Sequence, residues 1–147
     1  KSLADLDLNE TVRQTVMLAQ RFATLRRVNL ETQLESNPLH LLSDPFRLQY
    51  VIFGLIERAI NCSPKEGEVR VKTERSGEML QVTVTDQGTV EADKIRALVS
   101  ASPSAEDIQG ASDPTILVQT IEALGGNITA ERVDGGLNRV VLSFPLK

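Results

Sequence analysis

Asp86 ends the alternating stretch "VTVTD", residues 82–86, and Gly88 follows after a single residue. A carboxylate at a strand end can accept from the amino group of a nucleotide base. A glycine beside it lets backbone approach that base closely. The same Asp-x-Gly triplet makes an ordinary turn, and these residues alone leave both readings open. Other candidates carry less. His40, the one histidine, falls in a short predicted strand and is expected to be ordinary and partly buried. Cys62, the one cysteine, has no histidine near it in sequence to activate it, so a small apolar filler at a helix end is expected. No His/Cys cluster has zinc spacing, and no Ser-His-Asp constellation stands out. The acids Glu91, Asp93, Glu106 and Asp107 match no metal-binding loop and read as a solvated face.

The composition bounds what such residues could belong to. At 147 residues the chain suits one domain with a useful core. Aromatics are 3% and Trp is absent, so the core must come from Leu, Val, Ile and Ala. A net charge of −4 argues against a nucleic-acid surface, which needs clustered cations and stacking aromatics. No apolar run is long enough to cross a membrane and no signal peptide is visible, so direct membrane contact is not expected. A single cysteine excludes an internal disulfide and fits a reducing compartment. The chain starts at Lys, not Met, which suggests a piece of a longer cytoplasmic protein.

Periodicity supplies the elements. Asn9 is expected to cap a helix carrying Val12, Val16, Ala19 and Ala23 on one face. "VNLETQLE", residues 28–35, alternates as a strand, and "LHLL", residues 39–42, as a second short one. Asp44-Pro45 is a helix start, with Leu48, Val51, Ile52, Leu55, Ile56 and Ala59 on a broad apolar face. Strands over 68–73 and 79–85 form a hairpin. Residues 91–100 are weakly helical and 101–112 small and polar. Asp113-Pro114 starts a last helix with Ile116, Leu117, Thr120, Ile121 and Leu124 inward, and Gly125-Gly126 stops it. Strands over 127–133 and 139–144 close the chain. The fold class expected is α/β in the α+β sense. It is a two-layer sandwich with a mixed, mostly antiparallel sheet of about five strands plus short edge strands, and three main helices on one face.

Three strings carry a resemblance: "DPFRLQYVIFGLIERAINCSPKEGEVRVKTE", "VTVTDQG" and "TILVQTIEALGGNITAERVDGGLNRVVLSFPL". In order and spacing, over nearly the whole chain, they resemble the ATP-binding catalytic domain of sensor histidine kinases, in the superfamily shared with Hsp90, gyrase and MutL. The resemblance implies one such domain over 1–147, with a shortened, degenerate ATP lid at 91–112 that lacks the family's Phe-x-Pro-Phe-like string. It also places the family's nucleotide positions. Arg58 stands where an Asn holds the Mg²⁺ that bridges the phosphates, Gly54 one turn earlier replaces an acid or amide, and Asn61 replaces a Lys or His. Asp86 and Gly88 match the adenine-binding box, whose second glycine is here Val90. Gly110 remains of the glycine run that binds phosphates, while Asp113 and Pro114 set a carboxylate and a missing N–H there.

A guanidinium cannot ligate a metal and repels it. Arg58 by itself is expected to be a solvated helix residue. The alternative is an arginine that contacts phosphate directly or pairs with a partner protein. ATP and magnesium, the family's cofactors, are therefore expected to bind weakly or not at all, and no catalytic or metal-binding residue is assigned. The function expected is a signalling domain of the pseudokinase type in a two-component phosphorelay. Its expected partners are its own upstream dimerisation helices and a response-regulator receiver domain. The alternatives are an active histidine kinase with a divergent site, an ATP-independent histidine phosphotransferase, or an anti-sigma-type binding module.

Overall fold

In a computed structural model of the chain, residues 3–87, 114–133 and 137–145 are described. The chain opens with β1 (Ala4–Asp7) and α1 (Leu8–Leu25), followed by β2 (Asn29–Gln33) and β3 (His40–Ser43). Next come α2 (Pro45–Cys62) and the hairpin β4 (Glu68–Ser76) and β5 (Met79–Asp86). The third helix, α3 (Pro114–Ala123), leads into the hairpin β6 (Asn127–Val133) and β7 (Leu137–Pro145). The order β2-β4-β5-β7-β6 makes a five-stranded sheet, parallel only between β2 and β4, and β1 and β3 pair as a separate antiparallel ribbon. This is the sandwich expected from the sequence.

The starts of α1 and α2 have an identifiable chemical cause. The Asp44 carboxylate accepts from the N–H groups of Phe46 and Arg47 at 3.1 and 3.3 Å, and Pro45 occupies a first-turn site that needs no donor. α1 differs from expectation. Asp7, not Asn9, is the N-cap, and its carboxylate accepts from the Asn9 N–H at 3.0 Å and from the Leu39 N–H at 3.0 Å. One acid thus starts the helix and ties it to the approach to β3. Asn9 is freed to turn inward, where it is buried.

α3 ends as expected, for a visible reason. The Gly126 N–H donates to Ile121 O and the Gly125 N–H to Glu122 O, both at 3.0 Å, with Gly125 at φ +77°. That is the bonding of a Schellman C-cap. A side chain on Gly126 would begin 2.7 Å from the Phe144 ring, so only glycine fits where α3 turns down onto β7. The inward stripe of α3 is rotated from the expected one. Leu117, Val118 and Ile121 are buried, while Ile116 is 48% exposed.

The core lies between the helices and one face of the sheet. Leu48, Val51, Ile52, Leu55, Ile56, Ala59 and Ile60 of α2 are all buried. Each large aliphatic among them contributes about 1.5–3 kcal/mol over its exposed state. Opposite them lie Val71, Val84 and Val140, then Val82 and Leu142, then Leu80 and Phe144, paired across β4, β5 and β7. One residue further along this inward row, Asp86 pairs with Asn138. The apolar core ends there, and the polar pocket begins.

Candidate functional site

Two rigid elements build this pocket. The alternation of β5 carries Leu80, Val82 and Val84 inward and therefore Asp86 as well, leaving it 4% exposed. The alternation of β7 does the same for Asn138, which is fully buried. The Asn138 amide donates to an Asp86 carboxylate oxygen at 3.1 Å, and its own oxygen accepts from Arg132 of β6 at 3.1 Å. On the other side, the last turns of α2 bring Arg58 and Cys62 against these strands.

Arg58 is not the solvated residue expected. It is 6% exposed, and neither terminal guanidinium nitrogen has a hydrogen-bond partner. α2 is buried around much of its circumference near residues 54–60, so even its less apolar positions are covered. Burial pulls the Arg58 pKa down, and the nearby Cys62 and Asp86 oppose that shift. Burial pushes the Cys62 thiol up. Arg58 counters that effect and Asp86 adds to it. Together Leu55, Arg58, Cys62, Val84, Asp86 and Asn138 enclose only about 10 Å³, room for roughly one water.

The structure thus brings Arg58 and Asp86 together. Asn61, in the last turn of α2, is half-buried and does not line the pocket. Gly88, Gly110, Asp113 and the 91–112 segment lie outside the described residues, as do Glu91, Asp93, Glu106 and Asp107. His40 is exposed, a correction to the partly buried position expected, because β3 turns its Leu41 and Ser43 inward. Sequence reasoning missed Asn138 and Arg132. The signal was available, since Asn138 falls on the inward phase of an otherwise apolar alternation. A larger groove of about 620 Å³ lies on the opposite face of the sheet, lined by Gln81, Thr83, Thr85, Arg139 and others, and shares no residue with this pocket. Among the described residues no group of three His, Cys, Asp or Glu could hold a metal ion, and no helix is long and apolar enough to cross a membrane.

Comparison with known proteins places this geometry. No family model matches the chain. The sensor histidine kinase ZraS of Escherichia coli O157:H7 is 24% identical over 146 residues, covering 99% of this chain and 32% of that protein. The adaptive-response sensory kinase SasA of Prochlorococcus marinus is 24% identical over 84 residues, covering 56% of this chain and 23% of that protein. The catalytic domain of histidine kinase ThkA superposes with a TM-score of 0.83 at 16% identity, covering 99% of this chain and 97% of that domain. The chain has the fold of histidine kinase catalytic domains. The mycobacterial sensor histidine kinase MprB superposes at a TM-score of 0.80 and 16% identity, over 98% of this chain and 97% of the other. The chain spans about a third of the length of the ZraS relatives.

Arg58 brings hydrogen-bond donors and no metal-ligating oxygen to this pocket. Its two terminal nitrogens are unpartnered, and a buried donor without an acceptor is rare.

Proposed function

We propose that this chain is the catalytic-type domain of a cytoplasmic two-component sensor histidine kinase whose nucleotide site no longer takes Mg²⁺–ATP. The domain then acts in signalling through protein contacts and not through phosphoryl transfer. One observation carries this reading: Arg58, at the position of the family's metal-holding Asn, is a buried cation. Phosphoryl transfer depends on positioning and on neutralising charge, chiefly by Mg²⁺ and backbone donors. A fixed positive charge at the metal position repels the ion and offers it no ligand.

A response-regulator receiver domain is the partner this reading favours, beside dimerisation helices from the same protein. In support, ThkA, which shares the fold, has been crystallised in complex with the response regulator TrrA. The outer surface of α1 and α2 also presents Leu18, Phe46, Tyr50 and Phe53 around one groove in a chain with few aromatics. Aromatic anchors of this kind are enriched at protein interfaces.

An active kinase with a divergent site is the second reading. What favours it is Asp86, kept buried and hydrogen-bonded to Asn138 at the end of β5. Calorimetric titration with ATP, with and without Mg²⁺, separates the two. The proposal expects no heat of binding up to millimolar nucleotide from a folded domain. Micromolar, Mg²⁺-dependent binding would establish the second reading instead.

A further inference from the structure

The pocket between α2, β5 and β7 contains a contradiction that needs a physical explanation. A guanidinium is fully removed from water there, its terminal nitrogens bond to nothing, and the space around it admits roughly one water. Stability alone does not favour this arrangement, because an unpaired buried donor costs free energy that a methionine would not. Nor does the pocket act as an open anion receptor. A phosphate could not reach the Arg58 terminal nitrogens in this conformation, since those atoms are sealed from solvent. What the side chain does achieve is occupancy. It fills the volume beside Asp86 and supplies positive charge facing that carboxylate and the Cys62 thiol.

We propose that Arg58 is an internal lock, a long side chain on α2 whose bulk fills the space beside Asp86 and holds the α2–β5–β7 pocket shut. The closed pocket is then the resting state of the domain, reached without nucleotide or metal. This inference rests on the reading above that the wild-type pocket takes no Mg²⁺–ATP. It goes further in naming the residue that closes the pocket and in making closure reversible by one substitution.

Cys62 lines the same pocket, is half-buried and is the only cysteine, so a change in its rate of alkylation by iodoacetamide between variants reports a change in access to the pocket. The expected direction is diagnostic. The Arg58 charge lowers the thiol pKa, so losing that charge alone must slow alkylation by reducing the thiolate fraction. In Arg58→Asn, which shortens the side chain, opening overrides this and alkylation accelerates about tenfold or more, equivalent to ~1.4 kcal/mol in the opening equilibrium. Adenosine, which carries a base and no phosphate, slows the reaction in R58N and not in the wild type. In Arg58→Met, which keeps the length and discards the charge, the pocket stays filled and alkylation is slower than in the wild type.

Thermal melting of each variant shows that the rates refer to folded protein. R58N alkylating no faster than R58M would overturn the lock, as would R58M alkylating faster than the wild type. The R58M result stands even if R58N does not fold. Protection of wild-type Cys62 by Mg²⁺–ATP would instead refute the functional reading on which the lock rests.

Discussion

Two polar clusters lie buried on the helix side of the sheet, and they are completed to different degrees. At the first, the Asn9 amide donates to Glu35 O at 2.9 Å and to Asn37 O at 3.1 Å, while its oxygen accepts from the Thr73 hydroxyl. The Thr73 hydroxyl oxygen in turn accepts from the Glu35 N–H at 2.9 Å. The network joins α1, the segment between β2 and β3, and β4 with every Asn9 donor used. At the second cluster, Asn138 bridges Asp86 and Arg132, but Arg58 beside them leaves both terminal nitrogens unpartnered. Buried polar groups are as a rule hydrogen-bonded, and among the described residues only the Ser43 hydroxyl shares this lack of a partner with Arg58. A buried charge with open donors breaks that rule, and such breaks concentrate at functional positions. The contrast separates a cluster whose polar groups are all used by the fold from one in which a buried cation is left without acceptors.

The most direct way to break this comparison is Asn9→Ala. It removes three hydrogen bonds and leaves the Thr73 hydroxyl proton and the Glu35 and Asn37 carbonyls without their partner, so a loss of about 3 kcal/mol is expected. Thermal melting should fall by roughly 6–12 °C in a domain of this size. A loss below about 1 kcal/mol would mean the completed network matters no more than the open one. Arg58→Met should have the opposite sign. Methionine keeps the packing and removes a guanidinium that burial disfavours, so a gain of about 1–2 kcal/mol is expected by urea denaturation. A comparable loss would show that Arg58 is held as firmly as Asn9, and the distinction between the clusters would collapse.

The apolar half of this molecule was open to sequence reasoning, because each strand alternates with period two and α2 repeats with period 3.6. Asp44-Pro45 and Gly125-Gly126 marked their helix ends through chemistry that is local and short-range. The polar half was harder to read. Asn9 looked like a cap because Asn favours caps, but Asp7 caps the helix two residues earlier by accepting from the Asn9 N–H and also bonds the Leu39 N–H, a contact that exists only in the fold. Arg58 looked solvated because arginines usually are. Only the packing of α2 against both strands and helices shows that it is not. Asp86 was read correctly as the acid at the strand end. Its partner Asn138 lies 52 residues on, and only the β5–β7 register could connect the two.

The smallest expected effect isolates the second cluster by its response to pH. Burial makes the folded chain hold the Cys62 proton more tightly than the unfolded chain does, because burial raises the thiol pKa. The stability this gives is fully present at neutral pH. It is lost as pH rises above the ordinary thiol range, about 8.5, where the unfolded chain ionises first. Urea denaturation at pH 7 and pH 10 should show the wild type losing more stability than Cys62→Ala over that interval. In R58M the thiol loses its neighbouring cation, so the difference from the matching R58M/C62A variant should widen and extend to higher pH. The Asn9 network contains no group titrating in this range, so the cost of Asn9→Ala should be the same at both pH values. If C62A and the wild type lose stability in parallel, the thiol is not desolvated by the pocket that Arg58 is proposed to close, and the second cluster would be an open surface cleft.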